Sequence, residues 1–489
     1  MNGGMAILRA GIYEEWRAVR PSFACRDSAD PPPERWLQQV WRHQRLRRDQ
    51  LMTLDGRTVR VLHPGFWNRE AGPDFRQAVL QLGDGPAVTG DVELDVTVSG
   101  WRGHHHATNP AYARVILHVV WDAGPRELAP PVLALQPHLD APLAELVPWL
   151  ETAAGSILSP GMLGKCCAPL RHIADEVVAD ILNQAAKERL RRKASEFAAR
   201  ARHAGWEQTL WEGLLAALGY KHNAWPMRRL AELCVAPAGE SVLEWEARLL
   251  GLAGLLPSQP PIHLLAAQRV KRLWEAWWRD RERWVDQILP ATVWRLSGLR
   301  PANHPQRRLA LAARWLAEGT LPKRLADWLT TEPVGNQGPA SLLLEQLQPA
   351  PDPSDFWAQH WTFRSAASPA PLPFLGPARA SDLAVNVVLP WLWARASAGG
   401  NASALTRVEE RFFVWPSGQD NALLRHARAR LFAGPTRRLP RTAAAQQGLL
   451  QIIRDFCEPA GPLCSECRFP KLVEALPGAE SKIPASPDT

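Results

Sequence analysis

Acidic residues recur at every second position in a run of alternating apolar and polar residues from 88 to 99. Read as a β-strand, this run places Asp91, Glu93 and Asp95 on one face. Aspartate is uncommon in strands, and carboxylates about 7 Å apart on one face repel each other unless a cation neutralises them. The pattern therefore indicates a metal site. A strand whose polar face meets only solvent would show the same alternation, so that interpretation stays open.

Three consecutive histidines, His104, His105 and His106, follow this predicted strand, and Arg102 comes just before them. Histidine changes its charge near neutral pH, so one of the three is a candidate general base, and we take His105 as that candidate. Arg102 is a candidate nucleic-acid contact. Because consecutive residues cannot all face one site, exposure of the whole run to solvent is the alternative.

Two loops carry further candidates for nucleic-acid binding. The first contains His63 and Asn68 among turn-forming residues, where functional groups often sit and where backbone requirements alone also explain the composition. The second enters a predicted helix, whose first amides and nearby arginines would suit a phosphate. Its candidates are Arg300, Asn303, Arg307 and Arg308. A structural corner stabilised by helix capping explains this second loop equally well.

The seven cysteines are too few and too irregularly spaced for a disulfide framework in so long a chain. Cys464 and Cys467 have the two-residue spacing of a metal-binding turn, and Cys457 precedes them with six residues between. These three predict a site for Zn²⁺ or an iron–sulfur cluster, either of which requires a fourth ligand. The sequence leaves that ligand open among the remaining thiols, and three unligated thiols are the alternative.

The composition is typical of a globular protein with a basic surface. The chain has 489 residues, 46% of them hydrophobic, and a formal net charge of +8. Excess positive charge favours polyanionic partners, so nucleic acid is the expected partner. No run approaches the roughly 18 apolar residues of a membrane span, and the first residues lack the apolar stretch of a signal peptide. We therefore expect a cytoplasmic protein with no membrane contact, whose oligomeric state the sequence does not predict.

Helical and strand patterns divide the chain. A helix with apolar residues at helical spacing is predicted from Glu34, after a proline run. Period-two runs then predict five strands, at 58–62, 75–82, 88–98, 113–121 and 132–136, with a hairpin turn at 83–85. Beyond residue 140 the pattern is almost wholly helical. The expected fold class is α+β, a small mixed β-sheet domain with flanking helices followed by a large, mainly α-helical region.

Shifts in composition suggest consecutive domains. The predicted segments are an irregular N-terminal arm at 1–33, a mixed-sheet domain at 34–152, a helical domain at 153–348, a Pro-rich linker or loop at 349–382, a C-terminal helical region with the cysteine cluster at 383–472 and a disordered tail at 473–489.

Several motifs together resemble one known family. They include His63-Pro64-Gly65, Ala71-Gly72-Pro73-Asp74-Phe75, Gly90-Asp91-Val92-Glu93-Leu94, Val115-Ile116-Leu117-His118-Val119-Val120, Arg300-Pro301-Ala302-Asn303 and Asn386-Val387-Val388-Leu389-Pro390. Over most of its length the chain resembles the uncharacterised bacterial proteins of domain of unknown function 2851. This resemblance implies no activity.

The N-terminal part also resembles the PD-(D/E)xK nuclease-like fold (restriction-endonuclease-like), in which a helix precedes a strand hairpin that bears acidic residues. The resemblance implies that Asp74 supplies the first catalytic acid and Glu93 the second, with Glu34 on the helix as a third ligand of Mg²⁺. Asp91 and Asp95 would assist. Such an ion polarises the phosphate and lowers the pKa of a bound water. Asp95 stands where the fold has a lysine, so another group must activate the water.

The leading functional hypothesis is therefore metal-dependent hydrolysis of phosphodiester bonds in DNA or RNA. The first alternative is a non-catalytic nucleic-acid-binding or assembly protein on a nuclease-like scaffold, because the lysine is absent. The second is a protein in which the metal at the C-terminal cysteines serves only structure.

Overall fold

The chain forms two compact units that are interleaved along the sequence. The computed structural model describes residues 8–18, 31–68, 70–124, 130–146, 164–220, 222–234, 239–331, 338–349, 352, 355–433, 439–457, 464 and 467–476. The unit that we call the sheet unit comprises Ala29–Leu150 and Glu196–Trp391. The unit that we call the cysteine unit comprises Met1–Ser28, Glu151–Ser195 and Leu392–Thr489. The composition suggested consecutive segments instead.

Six strands form one mixed sheet in the sheet unit. They are β1 (Val59–His63), β2 (Phe66–Trp67), β3 (Phe75–Leu82), β4 (Val88–Leu94), β5 (Val115–Val120) and β6 (Val132–Ala134). Their order is β1-β3-β4-β5-β6, with β2 paired to β3. The pairs β1–β3 and β3–β4 are antiparallel, whereas β4–β5 and β5–β6 are parallel. All five predicted strands are present, and the short β2 is an addition.

Helices make up most of the rest of the described chain. They are α1 (Ile12–Ala18), α2 (Glu34–His43), α3 (Gly100–Gly103), α4 (Leu143–Leu146), α5 (Cys167–His172), α6 (Asp175–Ala204), α7 (Trp206–Leu218), α8 (Ala224–Leu233), α9 (Val242–Leu252), α10 (Leu264–Trp284), α11 (Pro305–Glu318), α12 (Leu321–Thr330), α13 (Pro339–Leu347), α14 (Phe356–Gln359), α15 (Pro377–Leu383), α16 (Leu389–Ala398), α17 (Ala402–Val414), α18 (Ala422–Phe432), α19 (Ala443–Ile452) and α20 (Phe469–Glu474). The expected mixed sheet and large helical region are therefore confirmed.

Both ends of the chain differ from, or extend beyond, the predicted segments. The arm expected to be irregular contains α1, because Tyr13 and Trp16 are buried in the apolar core of the cysteine unit. Of the predicted tail, residues 473–476 are described: the first two end α20 and the other two follow it, and the remainder lies outside the described residues. Within the described part of the chain, no helix combines the length and the apolar character that a membrane crossing requires.

One face of the sheet packs against α2. Val92 and Leu94 of β4 lie in an apolar core that also contains Trp41 of α2. Successive residues of a strand point to opposite faces. The side chains of Glu93 and its acidic neighbours therefore project from the other face of β4. The strand ends at Leu94 and not at residue 98, because the chain bends at Val96 and Thr97 before α3.

The parallel pairing of β4 and β5 fixes the position of the histidine run. Two parallel strands need a connection that returns the chain to the starting edge. Here the connection contains α3 and two 3₁₀ turns, His106–Thr108 and Pro110–Tyr112. The crossover therefore places the histidines beside the end of β4.

Candidate metal centre

Four carboxylates meet where α2, β3 and β4 come together. Glu34 begins α2, Asp74 directly precedes β3, Glu93 lies in β4 and Asp95 directly follows β4. Two backbone hydrogen bonds hold Asp74 against β4. The Asp74 N–H donates to Glu93 Oε2 at 3.0 Å, and the Leu94 N–H donates to Asp74 Oδ2 at 3.1 Å. The two predicted catalytic acids are therefore direct neighbours.

Gln38 connects the helix to the strand acids. Its Nε2 donates to Glu34 Oε1 at 3.1 Å and to Asp74 Oδ1 at 2.9 Å. The sequence did not single out this residue, although a signal was present. Residues four apart lie on the same face of a helix, so Gln38 must follow Glu34 toward the sheet.

Burial and mutual repulsion raise the pKa of these carboxyl groups. Loss of solvent, followed by the charge of Glu34, raises the pKa of Asp74 to about 7. Loss of solvent, followed by the charge of Asp74, raises the pKa of Glu93 to about 9. The pKa of Glu34 is also raised, by burial and by the charge of Asp95. A divalent cation among them would oppose these shifts, because it stabilises ionised carboxylates.

Histidines surround Asp95. His104 Nδ1 lies 2.9 Å from Asp95 Oδ1, and His118 Nε2 lies 2.9 Å from Asp95 Oδ2. His118 is buried in β5, which fits a hydrogen-bonded core histidine. The ligand atoms of Asp95, His104 and His106 all lie within 4.8 Å of one another. One metal ion can bridge atoms at that spacing.

His106 links this group to Glu93. Its Nε2 lies 3.2 Å from Glu93 Oε1, yet neither ring nitrogen makes a hydrogen bond although the side chain is only 7% exposed. Buried polar atoms normally have hydrogen-bond partners, so a ligand is expected at this ring. Burial lowers the pKa of His106, which favours the neutral imidazole that binds metals. The ring stacks on Tyr112 with 3.9 Å between centroids, which fixes its plane.

The outer histidines of the run reach the carboxylates, and the predicted His105 does not belong to this group. His105 has a φ of 59° and is exposed, so the backbone turn at this residue separates its side chain from those on either side. His104 and His106 are the members that approach Asp95 and Glu93. Sequence alone does not distinguish the three histidines, because their directions depend on the left-handed backbone at His105.

Gly100 lets α3 lie against Asp95. A Cβ at position 100 would be 2.6 Å from both Cγ and Oδ1 of Asp95, closer than non-bonded atoms approach. Glycine is therefore required here if Asp95 is to keep its place between His104 and His118.

Asp91 serves the backbone of the neighbouring strand. Its Oδ1 accepts a hydrogen bond from the Gln77 N–H at 3.0 Å. Gln77 has a φ of 58° and lies where the pairing of β3 with β4 shifts register between Phe75 and Ala78. The bond stabilises a bulge in an unfavourable conformation. We therefore leave Asp91 out of the ligand set, although the sequence placed it there.

The loop candidates His63 and Asn68 are engaged within their own loop. His63 is buried and its Nδ1 accepts a hydrogen bond from the Gly65 N–H at 3.0 Å. Burial and the charge of Arg295 lower the pKa of His63 to about 4, so the ring is neutral near pH 7. Asn68 Nδ2 donates to three carbonyl groups of the turn that leads to Asp74. These side chains stabilise the loop that leads to Asp74.

Arg307 and Arg308 of α11 are buried, and neither is available to a phosphate in this conformation. Their guanidinium groups donate to the backbone carbonyls of Trp357, His360, Leu372, Pro373 and Phe374. These bonds attach the described part of the predicted linker, which contains α14 and most of α15, to α11. Asn303 accepts a bond from Arg308, whereas Arg300 is exposed. Nucleic-acid binding by Arg300 stays a prediction.

The three cysteines predicted as ligands lie in the cysteine unit. Cys457 ends the π-helical turn Ile453–Cys457 that follows α19, and Cys464 and Cys467 precede α20. Cys457 and Cys464 are buried and Cys467 is half-buried. All three are free thiols.

Comparisons with known proteins identify a family without a function. The family model described as "Protein of unknown function (DUF2851)" matches residues 34–413, a range that includes every carboxylate and histidine of the candidate metal centre. No curated protein and no solved structure matches the chain.

Proposed function

Because the chain belongs to the DUF2851 family, whose description names no activity, we propose a function from the site itself: metal-dependent hydrolysis of phosphodiester bonds in DNA or RNA. Two linked sets of contacts carry this proposal. Asp74 is hydrogen-bonded to Glu93, and the ligand atoms of Asp95, His104 and His106 lie within 4.8 Å of one another, with His106 3.2 Å from Glu93. Carboxylates suit Mg²⁺ and Mn²⁺, and imidazoles suit Zn²⁺ and other transition metals. The mixed set therefore fits a divalent cation.

The order of the elements supports a nuclease-like interpretation. Helix α2 precedes the antiparallel strands β1, β3 and β4, and α3 crosses over to the parallel strand β5. The resemblance to the PD-(D/E)xK fold places its acids at the start of β3, where Asp74 lies, and on β4, where Glu93 lies. Asp95 occupies the lysine position, so the histidines take part in place of that lysine.

The side chains divide into ligands, a base and positioning groups. A divalent cation at Asp74, Glu93 and Asp95 would lower the pKa of a bound water and polarise a phosphate oxygen. His104 is 59% exposed and Asp95 holds its Nδ1, an arrangement that suits a base for the attacking water. His118 holds the second oxygen of Asp95 and so orients that carboxylate.

The charge of the chain supports a polyanionic substrate. The net charge is +8, and exposed arginines lie on the elements that form the site. They are Arg35 on α2, Arg76 on β3 and Arg102 on α3. Guanidinium groups on these elements would attract the phosphate backbone.

Cleavage assays test this proposal. Purified protein is incubated with single- and double-stranded DNA and RNA in the presence of Mg²⁺, Mn²⁺ or Zn²⁺. We expect ion-dependent cleavage that falls at least 100-fold in Asp74→Asn and Glu93→Gln. Asp84→Asn is the matched control, because Asp84 is an exposed carboxylate in the β3–β4 turn.

Two outcomes would contradict the hydrolase. One is the absence of cleavage with every substrate and ion, and the other is equal cleavage by wild type and the two site variants. Nucleic-acid binding without cleavage would favour the non-catalytic alternative. The absence of the lysine would then explain the lack of hydrolysis.

A further inference from the structure

Cysteines from distant parts of the sequence come together in the cysteine unit. Cys166 lies directly before α5, and α5 packs against α18 and α20. This packing brings the Cys166 thiol within electrostatic range of Cys457, Cys464 and Cys467. The structure thus supplies a fourth thiol beside the three that the sequence singled out.

Three of these four thiols are kept away from water. Cys166 and Cys457 are each 3% exposed and Cys464 is 5% exposed. Burial and the neighbouring thiols raise the pKa of Cys166, and they raise the pKa of Cys457 to about 12. A bound metal ion removes such a penalty, because it stabilises thiolates.

A buried arginine faces the same cluster. Arg430 in α18 is fully buried, and its Nη2 donates to Cys464 Sγ at 2.9 Å. Its charge also acts on Cys457. Four thiolates outweigh the charge of one Zn²⁺, so a four-thiolate centre stays negative and suits a buried guanidinium.

Gly164 connects the turn that contains Cys166 to α18, the helix that contains Arg430. The Gly164 N–H donates to the Arg430 carbonyl at 2.8 Å. A Cβ at position 164 would lie 2.9 Å from that carbonyl oxygen and 3.1 Å from Cys166 Sγ. Close backbone contact therefore fixes Cys166 relative to Arg430.

We infer that Cys166, Cys457, Cys464 and Cys467 bind a thiophilic metal centre, either one Zn²⁺ or an iron–sulfur cluster, with Arg430 as its outer partner. Both centres take four thiolates. Among the described residues, the sulfur atoms form no group within the 4.8 Å that Asp95, His104 and His106 satisfy. Thiolates around one zinc lie about 4 Å apart, whereas thiolates around an iron–sulfur cluster bind separate irons and lie farther apart, so the lack of such a group is compatible with the cluster. This inference does not depend on the hydrolase proposal.

Metal analysis of anaerobically purified full-length protein tests the inference. We expect either iron and sulfide in equal amounts with broad visible absorption, or about one zinc per chain without that absorption. Cys166→Ser should lose most of this metal, at least fivefold. Cys167→Ser is the matched control, because Cys167 is the adjacent residue and is also buried, at 7% exposure.

A measurement on the wild type covers the case in which Cys166→Ser does not fold. Alkylation followed by mass spectrometry compares thiol reactivity before and after chelation of the metal. We expect chelation to expose Cys166, Cys457, Cys464 and Cys467 together and to leave buried Cys234, in the sheet unit, unreactive. Metal-free protein, equal metal in Cys166→Ser and Cys167→Ser, or protection that omits Cys166 would overturn the inference.

Discussion

At the scale of residues, the carboxyl groups of Asp74 and Glu93 determine the charge of the candidate metal centre. Asp74 and Glu93 accept backbone hydrogen bonds that favour their ionised forms, yet burial and repulsion raise the pKa of both. A site arranged in this way is poorly neutralised without a cation. The same groups should therefore control stability as well as activity.

We expect the metal-free protein to become less stable as the pH rises from about 5 to 9. Asp74 and Glu93 hold their protons more tightly in the folded chain than in the unfolded chain, where each pKa is near 4. Their stabilising effect is complete below pH 4 and is lost as the pH passes about 7 for Asp74 and about 9 for Glu93.

Thermal unfolding in the presence of a chelator measures this effect. Glu93→Gln should flatten the decline above pH 7, and added Mn²⁺ should restore more stability at pH 8 than at pH 5. A melting temperature that stays constant or rises across this range would contradict the raised pKa values.

Gly100→Ala tests the close approach of α3 to Asp95. The added methyl group must displace the Asp95 carboxylate, so calorimetric affinity for Mn²⁺ should fall at least tenfold. Gly103→Ala is the control on the same helix, because a Cβ at Gly103 would meet no atom within 4 Å. Equal affinities in the two variants would exclude Asp95 as a ligand.

The sequence predicted part of this site for identifiable reasons. The period of two placed Glu93 and Asp95 on one face, and the nuclease-like resemblance singled out Asp74. The sequence alone could not show that His106, and not His105, faces the carboxylates, because the direction of each side chain depends on the left-handed backbone at His105. The sequence also could not show that Asp91 hydrogen-bonds the bulge in β3, because the positive φ of Gln77 arises from strand pairing.

At the scale of elements, short loops position the side chains of the site, and buried arginines hold the segment at 355–382. The crossover between β4 and β5 carries the histidines, and the hydrogen-bonded loop before β3 carries Asp74. The start of α2 and the five longer strands could be predicted from hydrophobic period and turn residues. The short β2 could not, because two residues carry no periodic signal.

Arg307→Ala should destabilise the sheet unit by about 3 kcal/mol or more in the free energy of unfolding, because several buried carbonyls would lose a charged donor. Denaturant titration measures this change. Arg300→Ala, at an exposed arginine near the start of the same helix, should change stability by less than about 0.5 kcal/mol. A small effect of Arg307→Ala would mean that the 355–382 loop holds itself in place.

At the scale of the whole molecule, the positive charge should govern binding before any chemistry occurs. The chain carries a net charge of +8, and each unit contains its own candidate metal centre. Charge attracts nucleic acid regardless of its sequence, whereas under the proposed function the cation at the carboxylates would determine whether a bound strand is cut.

Affinity for DNA, measured by fluorescence anisotropy, should fall steeply as salt rises from 50 to about 200 mM, in proportion to the number of phosphates contacted. Arg102→Gln should weaken binding and reduce the slope of log affinity against log salt by about one unit. An unchanged slope would place Arg102 outside the binding surface.

The shared cation at Asp74, Glu93 and Asp95 is the central claim, and crystals soaked in Mn²⁺ test it most directly. The anomalous difference map should show a peak about 2 Å from carboxylate oxygens of Asp74 and Glu93, with Asp95 or His106 completing the coordination. An empty site at saturating Mn²⁺, or peaks only elsewhere on the molecule, would contradict the claim.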